Sequence, residues 1–248
     1  MTRQLAQKTA LVTGGSRGIG AGIVKRLTED GAQVAFTYVQ AKEKAQALVE
    51  VVEAAGGRAM AVQADNGDVE AVRRAVTETV RTFGGLDILV NNAGYGEGRS
   101  LADISVEDFD RAVAVNVRGA FVAAQEALPH LREGGRIINI GSVFADRLPV
   151  FPGASFALYS LTKGAVAGWT RGLARELAPR GITVNNIQPG VIATDVLTGA
   201  AAEIMVPLTP AGRAGEPADI AGAVAYLASA EASFVNGATW TIDGAYST

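Results

Sequence analysis

Short apolar runs rich in β-branched residues alternate with amphipathic stretches along most of the chain. The runs are Thr9 to Thr13, Gln33 to Tyr38, Ala59 to Gln63, Leu86 to Val90, Arg136 to Ile140, Thr183 to Gln188 and Thr239 to Ile242. Between them, Gly18 to Glu29, Lys42 to Ala55, Val69 to Phe83, Val106 to Leu131, Ser155 to Leu177 and Pro217 to Ala228 carry helical patterns. Short runs of this composition form strands and the longer periodic stretches form helices. Strand, helix, strand in regular alternation requires right-handed crossovers and therefore parallel strands. The pattern predicts an α/β fold with a doubly wound, seven-stranded parallel sheet and helices on both faces.

No Pro- or Ser-rich linker interrupts the 248 residues, and nothing repeats beyond the strand and helix rhythm, so one domain over 1–248 is expected. The least regular part runs from Gly190 to Glu216, with Pro207 and Pro210 inside it. It follows a strand at the edge where open α/β sheets bind ligands, which makes it a substrate lid at about 190–216. Apolar residues make up 48% and charged residues 19%, ordinary values for a globular chain. A net charge of −3 leaves no basic footprint, so neither nucleic acid nor a membrane surface is expected as a partner. Without cysteine there is no disulfide and no thiol chemistry. His130, the single histidine, belongs to a solvated helix end, and no cluster of carboxylates and histidines points to a metal. The first residues lack the apolar core of a signal peptide and no segment approaches the ~20 apolar residues of a membrane helix, so a cytoplasmic location is expected.

The 30 glycines need a local reason, and one group of them has a clear one. Thr13-Gly14-Gly15-Ser16-Arg17-Gly18-Ile19-Gly20 lies directly between the first strand and the first helix. Glycines there let the backbone approach a pyrophosphate, whose charge meets free N–H groups and the positive end of the helix dipole. The sheet is then Rossmann-type and its ligand a dinucleotide. In such folds a carboxylate at the end of the second strand binds the ribose 2′-hydroxyl of NAD and repels a 2′-phosphate. Here that stretch is Thr37-Tyr38-Val39-Gln40, with no carboxylate before Glu43. Arg17 sits in the turn where its guanidinium can pair with the phosphate, beside Ser16, Tyr38 and Lys42. NADPH/NADP+ is the expected cofactor and NADH the less favoured one.

Further motifs follow in order: Asp65-Asn66 after the third strand, Asn91-Asn92-Ala93-Gly94 after the fourth, Asn116 in a helix, Ser142 after the fifth, Tyr159-x-x-x-Lys163, and Pro189-Gly190 followed by Ile192 and Thr194. With the glycine turn, they make the whole chain resemble the classical short-chain dehydrogenases/reductases. The resemblance implies cofactor binding by Gly14, Ser16, Arg17, Gly18, Ile19, Gly20, Tyr38, Asp65, Asn66, Asn92, Ala93, Gly94, Tyr159, Lys163, Pro189, Gly190, Ile192 and Thr194. In it Asp65 meets the adenine edge, Asn92 and Ala93 line the ribose path, and Ile192 and Thr194 contact the nicotinamide amide.

Tyr159 and Lys163 are four apart in a helical stretch, hence on one face. A phenol with a pKa near ~10 is a poor acid–base group at neutral pH, and an ammonium ~5 Å away would lower it by roughly two units at an effective dielectric of ~20. The resemblance implies that Tyr159 protonates a carbonyl oxygen held by Ser142, that Lys163 also binds the cofactor ribose, and that Asn116 completes a proton relay through water. The expected activity is NADPH-dependent reduction of a ketone to a secondary alcohol. Ser142 and Tyr159 lie further apart than is usual in the family, and the extra chain, with Arg147, Pro149, Phe151, Pro152 and Phe156, is expected to bulge beside the substrate. Ser155 lies close enough to compete with Ser142 for its place.

The rival enzyme is a 3-oxoacyl-carrier-protein reductase, a group that docks its acidic carrier with basic residues. Arg180 suits that role, whereas Glu133 stands where a base would be expected. The rival outside catalysis is a protein that senses NADP(H) without turnover. A homotetramer is expected from the resemblance, from the Ala-, Val- and Gly-rich stretches Val106 to Leu131 and Ser155 to Leu177, and from the apolar strand in Ala238 to Thr248.

Overall fold

The computed structural model describes residues 4–147, 155–197 and 199–248. Its strands are β1 (Thr9–Val12), β2 (Gln33–Tyr38), β3 (Arg58–Gln63), β4 (Ile88–Asn91), β5 (Arg136–Ile140), β6 (Thr183–Pro189) and β7 (Thr239–Ile242). They form one parallel sheet in the order β3-β2-β1-β4-β5-β6-β7. The helices are α1 (Gly18–Glu29), α2 (Lys42–Ala54), α3 (Val69–Phe83), α4 (Val106–Val113), α5 (Gly119–Ala127), α6 (Ala157–Leu177), α7 (Ala200–Met205) and α8 (Pro217–Ala228). This is the doubly wound architecture that the strand and helix rhythm predicts.

Successive strand residues point to opposite faces, and both faces here are apolar because helices cover both. Ala10, Val12, Val34, Phe36, Ile88 and Val90 join the core shared with α1, α2 and α8. Their neighbours Leu11, Ala35 and Leu89, with Ile137 and Val184, join the core on the side of α3, α5 and α6. The chain reverses direction across the sheet between β1 and β4. A crevice opens beyond the strands' carboxyl ends at such a reversal.

Two stretches depart from the pattern. The helix expected over Val106 to Leu131 is broken by a π-helical turn at Ala114–Arg118 and ends at Ala127. Asn66 causes the break: its Nδ2 donates to the Val115 carbonyl at 2.6 Å, diverting an acceptor that a regular helix needs. Gly119 permits it, since a Cβ there would stand 2.2 Å from the Asn66 carbonyl oxygen. The early ending has a similar cause, because Arg180 donates to the carbonyls of Leu128 and Leu131. The span from Gly190 to Glu216 is less irregular than its composition predicts. It carries α7 and a 3₁₀ turn at Val206–Leu208, and its two ends are joined by a bridge between Ile192 and Gly215.

A polar chain holds α6 to the sheet. Asn91 and Asn139 lie opposite each other in register, Asn91 donates to Asn139 at 2.9 Å, and Asn139 donates to the Thr170 hydroxyl at 2.9 Å. All three are buried. Replacing Asn139 by Ala strands the buried Asn91 amide and opens a cavity, while Thr170 keeps its bond to the Val166 carbonyl, so a loss of about 2–4 kcal/mol of stability is expected in denaturant titration. A loss under about 1 kcal/mol would show that the chain contributes little.

Candidate active site

The turn between β1 and α1 is shaped by glycines that cannot be replaced in place. Gly18 has φ +53°, a left-handed conformation, and a Cβ on Gly20 would stand 2.2 Å from the Gly14 carbonyl oxygen. The loop is pinned from both sides. Gly14 N–H donates to the Thr37 hydroxyl on β2 at 2.9 Å, and Asn92 donates its Nδ2 to the carbonyls of Thr13 and Gly14. The Thr13 hydroxyl in turn accepts from the N–H groups of Asn92 and Ala93. Helix α1 has no acidic residue in its first turn and no side-chain cap, so its N-terminal N–H groups are free to meet an anion. Its N-cap is Arg17, whose guanidinium pairs with Asp195 at 3.2 Å; Lys44 joins the same carboxylate.

Beyond β5, Ser142 ends the strand and caps a 3₁₀ turn at Val143–Ala145 by accepting from the Phe144 N–H at 3.2 Å. Its side chain lies close enough to the Tyr159 phenol on α6 to pull that phenol's pKa downward. One turn further along α6, Lys163 is 4% exposed, donates to the Ile140 carbonyl at 2.8 Å and lies 5.6 Å from the centre of the Tyr159 ring. Asn116 occupies the π-helical turn and is buried. Both its amide protons are used, on the Tyr95 carbonyl at 2.7 Å and the Thr162 hydroxyl at 2.9 Å, and its oxygen accepts from Tyr95 N–H. The four residues thus converge at the carboxyl edge of β4 and β5.

The electrostatics of this corner differ from expectation. Burial pushes the Tyr159 phenol up to about 12, with the Ser142 hydrogen bond pulling weakly the other way. Burial also pulls the Lys163 ammonium down to about 8. The net shift of the phenol is therefore upward, opposite to the lowering expected from the nearby cation. Taking each charge out of water outweighs the attraction between them.

The other expected residues fall around the crevice. Tyr38 ends β2, half-buried. Asp65 accepts from Gly67 N–H at 2.8 Å and from Arg111 of α4 at 2.9 Å; burial opposes its ionisation, but these bonds hold its pKa below the usual carboxylate value. Asn66 faces the π-helical turn rather than the crevice. Gly94 lies against Lys163, with a Cβ there meeting Nζ at 3.5 Å. Pro189 closes β6, and Gly190 is pressed against Asp243, where a Cβ would approach to 2.5 Å. Ile192 is buried at the bridge, and the Thr194 methyl faces Gly18 across the glycine turn. Pro149, Phe151 and Pro152 of the expected bulge lie outside the described residues. Arg180 donates from one guanidinium nitrogen to the end of α5, as above, and remains exposed at the surface.

Several residues of the site were not anticipated. Gly96 packs on the Tyr159 ring, where a Cβ would come within 2.9 Å, and Tyr95 beside it donates its hydroxyl to Glu97, which pairs with Arg99. The alternating glycines Gly94, Gly96 and Gly98 were the available signal of a backbone running close to other groups. Asn139, Thr170, Arg111 and Asp195 carried no signal in sequence.

Residues 14–247 match the protein family described as enoyl-(acyl carrier protein) reductase. The chain is 46% identical over 241 residues to the cyclic-di-GMP-binding biofilm dispersal mediator protein of Escherichia coli, covering 96% of this chain and 97% of that one. It is 41% identical over 242 residues to a 3-oxoacyl-[acyl-carrier-protein] reductase of Staphylococcus aureus, again covering 96% and 97%. A crystal structure of a short chain dehydrogenase from Burkholderia cenocepacia in complex with NADP superposes with a TM-score of 0.95 at 49% identity, covering 99% of this chain and 100% of that one.

Proposed function

Because this chain belongs to the short-chain dehydrogenase/reductase family of oxidoreductases, we propose that it reduces a ketone to a secondary alcohol, reversibly, with NADPH as cofactor. The observation that carries this reading is the Ser142 hydroxyl next to the Tyr159 phenol, one helical turn from a buried Lys163 that donates to the Ile140 carbonyl. The uncapped start of α1, the glycine turn and Arg17 fit a phosphorylated dinucleotide, with Tyr38, Asp65, Asn92, Ala93, Gly94, Gly190, Ile192 and Thr194 along its path. NADPH bound there supplies the two electrons of the reduction. Ser142 donates a hydrogen bond to the substrate carbonyl oxygen, and Tyr159, kept protonated by its burial, gives that oxygen its proton. Lys163 holds the ribose and, while charged, stabilises the phenolate left behind. Its recharging draws on solvent through water beside Asn116, whose amide protons are committed and whose one side-chain oxygen, already accepting from Tyr95 N–H, can only accept from that water. The span from Gly190 to Glu216 acts as the lid over this crevice, within a single domain.

The relative from Staphylococcus aureus supports 3-oxoacyl-carrier-protein reduction as the second reading. The presence of Glu133 favours a smaller free ketone. A panel of ketones and β-ketoacyl thioesters assayed for NADPH consumption separates the two, and no turnover with any carbonyl would leave the sensor reading. Self-association into a homotetramer is part of the proposal. On α6, Gly164, Gly168 and Gly172 face open space, beside exposed Leu161 and Phe121, a surface that suits close helix packing against a second copy. A cytoplasmic location goes with it; among the described residues no helix is long and apolar enough to cross a membrane.

Tyr159→Phe should lower turnover by about 10²–10⁴-fold while cofactor affinity stays nearly unchanged, as expected when only a general acid is removed. A variant that keeps more than about a hundredth of the rate would show that another group donates the proton. In the pH profile of kcat/KM for reduction, Tyr159 stays protonated across the neutral range, so the alkaline limb follows Lys163. The rate should fall as pH rises through about 8. Lys163→Arg should move that limb to higher pH, and a limb that stays in place would assign it to a different group. Light scattering at micromolar concentration should give the mass of four 25.5 kDa chains, and a monomer would sink the tetramer.

A further inference from the structure

Asp195 follows Thr194 on the segment leaving β6. One of its carboxylate oxygens receives Arg17 at 3.2 Å and Lys44 at 3.3 Å, so a single anion ties the glycine turn and α2 to the entrance of the Gly190 to Glu216 span. The three side chains line a groove of about 630 Å³ together with Ser16, Lys25 and Thr194. Among the described residues lining it there are three cations and no carboxylate other than Asp195. Arg17 and Lys44 are more than half exposed and Asp195 is 37% exposed. Ion pairs of this exposure are each worth a factor of about five or less in an equilibrium. They hold a resting arrangement that a stronger anion can displace.

We infer that Asp195 is a cofactor-specificity residue, an internal anion that competes with the cofactor's 2′-phosphate for Arg17 and Lys44. The inference rests on the reading of Arg17 as the phosphate's partner. A 2′-phosphate carries close to two negative charges and offers a guanidinium paired oxygens. As it approaches Arg17, either the guanidinium leaves Asp195 or the two anions share it at close range. Both cost free energy, and neither arises for a cofactor with a 2′-hydroxyl. Asp195 therefore works selectively against NADPH and NADP+, limiting an affinity that would otherwise slow cofactor release. Because Asp195 stands at the entrance of the span from Gly190 to Glu216, the exchange also unfastens that span from α2.

The test is titration of NADPH and of NADH into the wild-type protein and into Asp195→Asn, Arg17→Ala and the double variant, read by cofactor fluorescence, with circular dichroism to confirm folding. Asp195→Asn keeps the side chain's shape and removes its charge. It should tighten NADPH about three- to fivefold and leave NADH within about twofold, with the gain shrinking in the Arg17→Ala background. If Arg17→Ala collapses the preference for NADPH but Asp195→Asn leaves NADPH affinity equal or weaker, Asp195 is no competitor and the role of Arg17 stands. If Arg17→Ala leaves the ratio of the two affinities unchanged, Arg17 is not the phosphate's partner and the inference falls with it.

Discussion

The ammonium of Lys163 is buried at the tip of β5 with the Ile140 carbonyl as its hydrogen-bond acceptor, and much of the surrounding architecture follows from having to put a cation there. Burying a charge costs several kcal/mol unless dipoles replace the lost water, and a single carbonyl replaces little of it. The strand must end at Ile140 so that its last carbonyl is aimed at Nζ. Ser142 must then turn the chain at once, which its own cap at Phe144 secures. Helix α6 has to lie against the sheet at a fixed height, and the buried chain from Asn91 through Asn139 to Thr170 sets that height. The cost that burial leaves unmet appears as a lysine poised near the neutral range and a phenol held firmly protonated. A phenol that stays protonated and a lysine that can change charge close to neutral pH are the outcome of the same desolvation.

The crevice is held open by a second polar knot across the sheet's reversal point. Thr13, at the end of β1, receives two N–H groups from the β4 side, while Asn92 returns two bonds to Thr13 and Gly14. Thr37 of β2 takes the Gly14 N–H from the other side. Three strands thus supply the partners of one glycine turn and fix its backbone in place. Asn66 does comparable work one layer away. By opening the π-helical turn it places Asn116 where a continuous helix would not, and Asn116 then fixes Tyr95 and the backbone that walls in Tyr159.

The strand and helix order, the parallel sheet and the glycine turn were legible from sequence because each rests on local information. Apolar periodicity reports which face of an element is covered, and β1, β2, β5 and β7 follow their apolar runs to within a residue. The spacing of Tyr159 and Lys163 places both on one helical face whatever surrounds them. The absence of a carboxylate after β2 is likewise a property of the residues themselves.

Tertiary structure decided what depends on residues distant in the chain. The break in the helix at Asn116 comes from Asn66, and the end of α5 from Arg180, contacts that no periodicity records. The shift of Tyr159 to about 12 depends on how deeply the fold buries it, whereas the sequence shows only that a lysine is near. The pairing of Arg17 and Lys44 with Asp195 joins three segments that are unrelated in sequence until the sheet brings their loops to one edge. Amphipathic pattern and turn chemistry act over a few residues and could be read from the chain alone. Desolvation and long-range hydrogen bonding act through space, so only the folded arrangement set them.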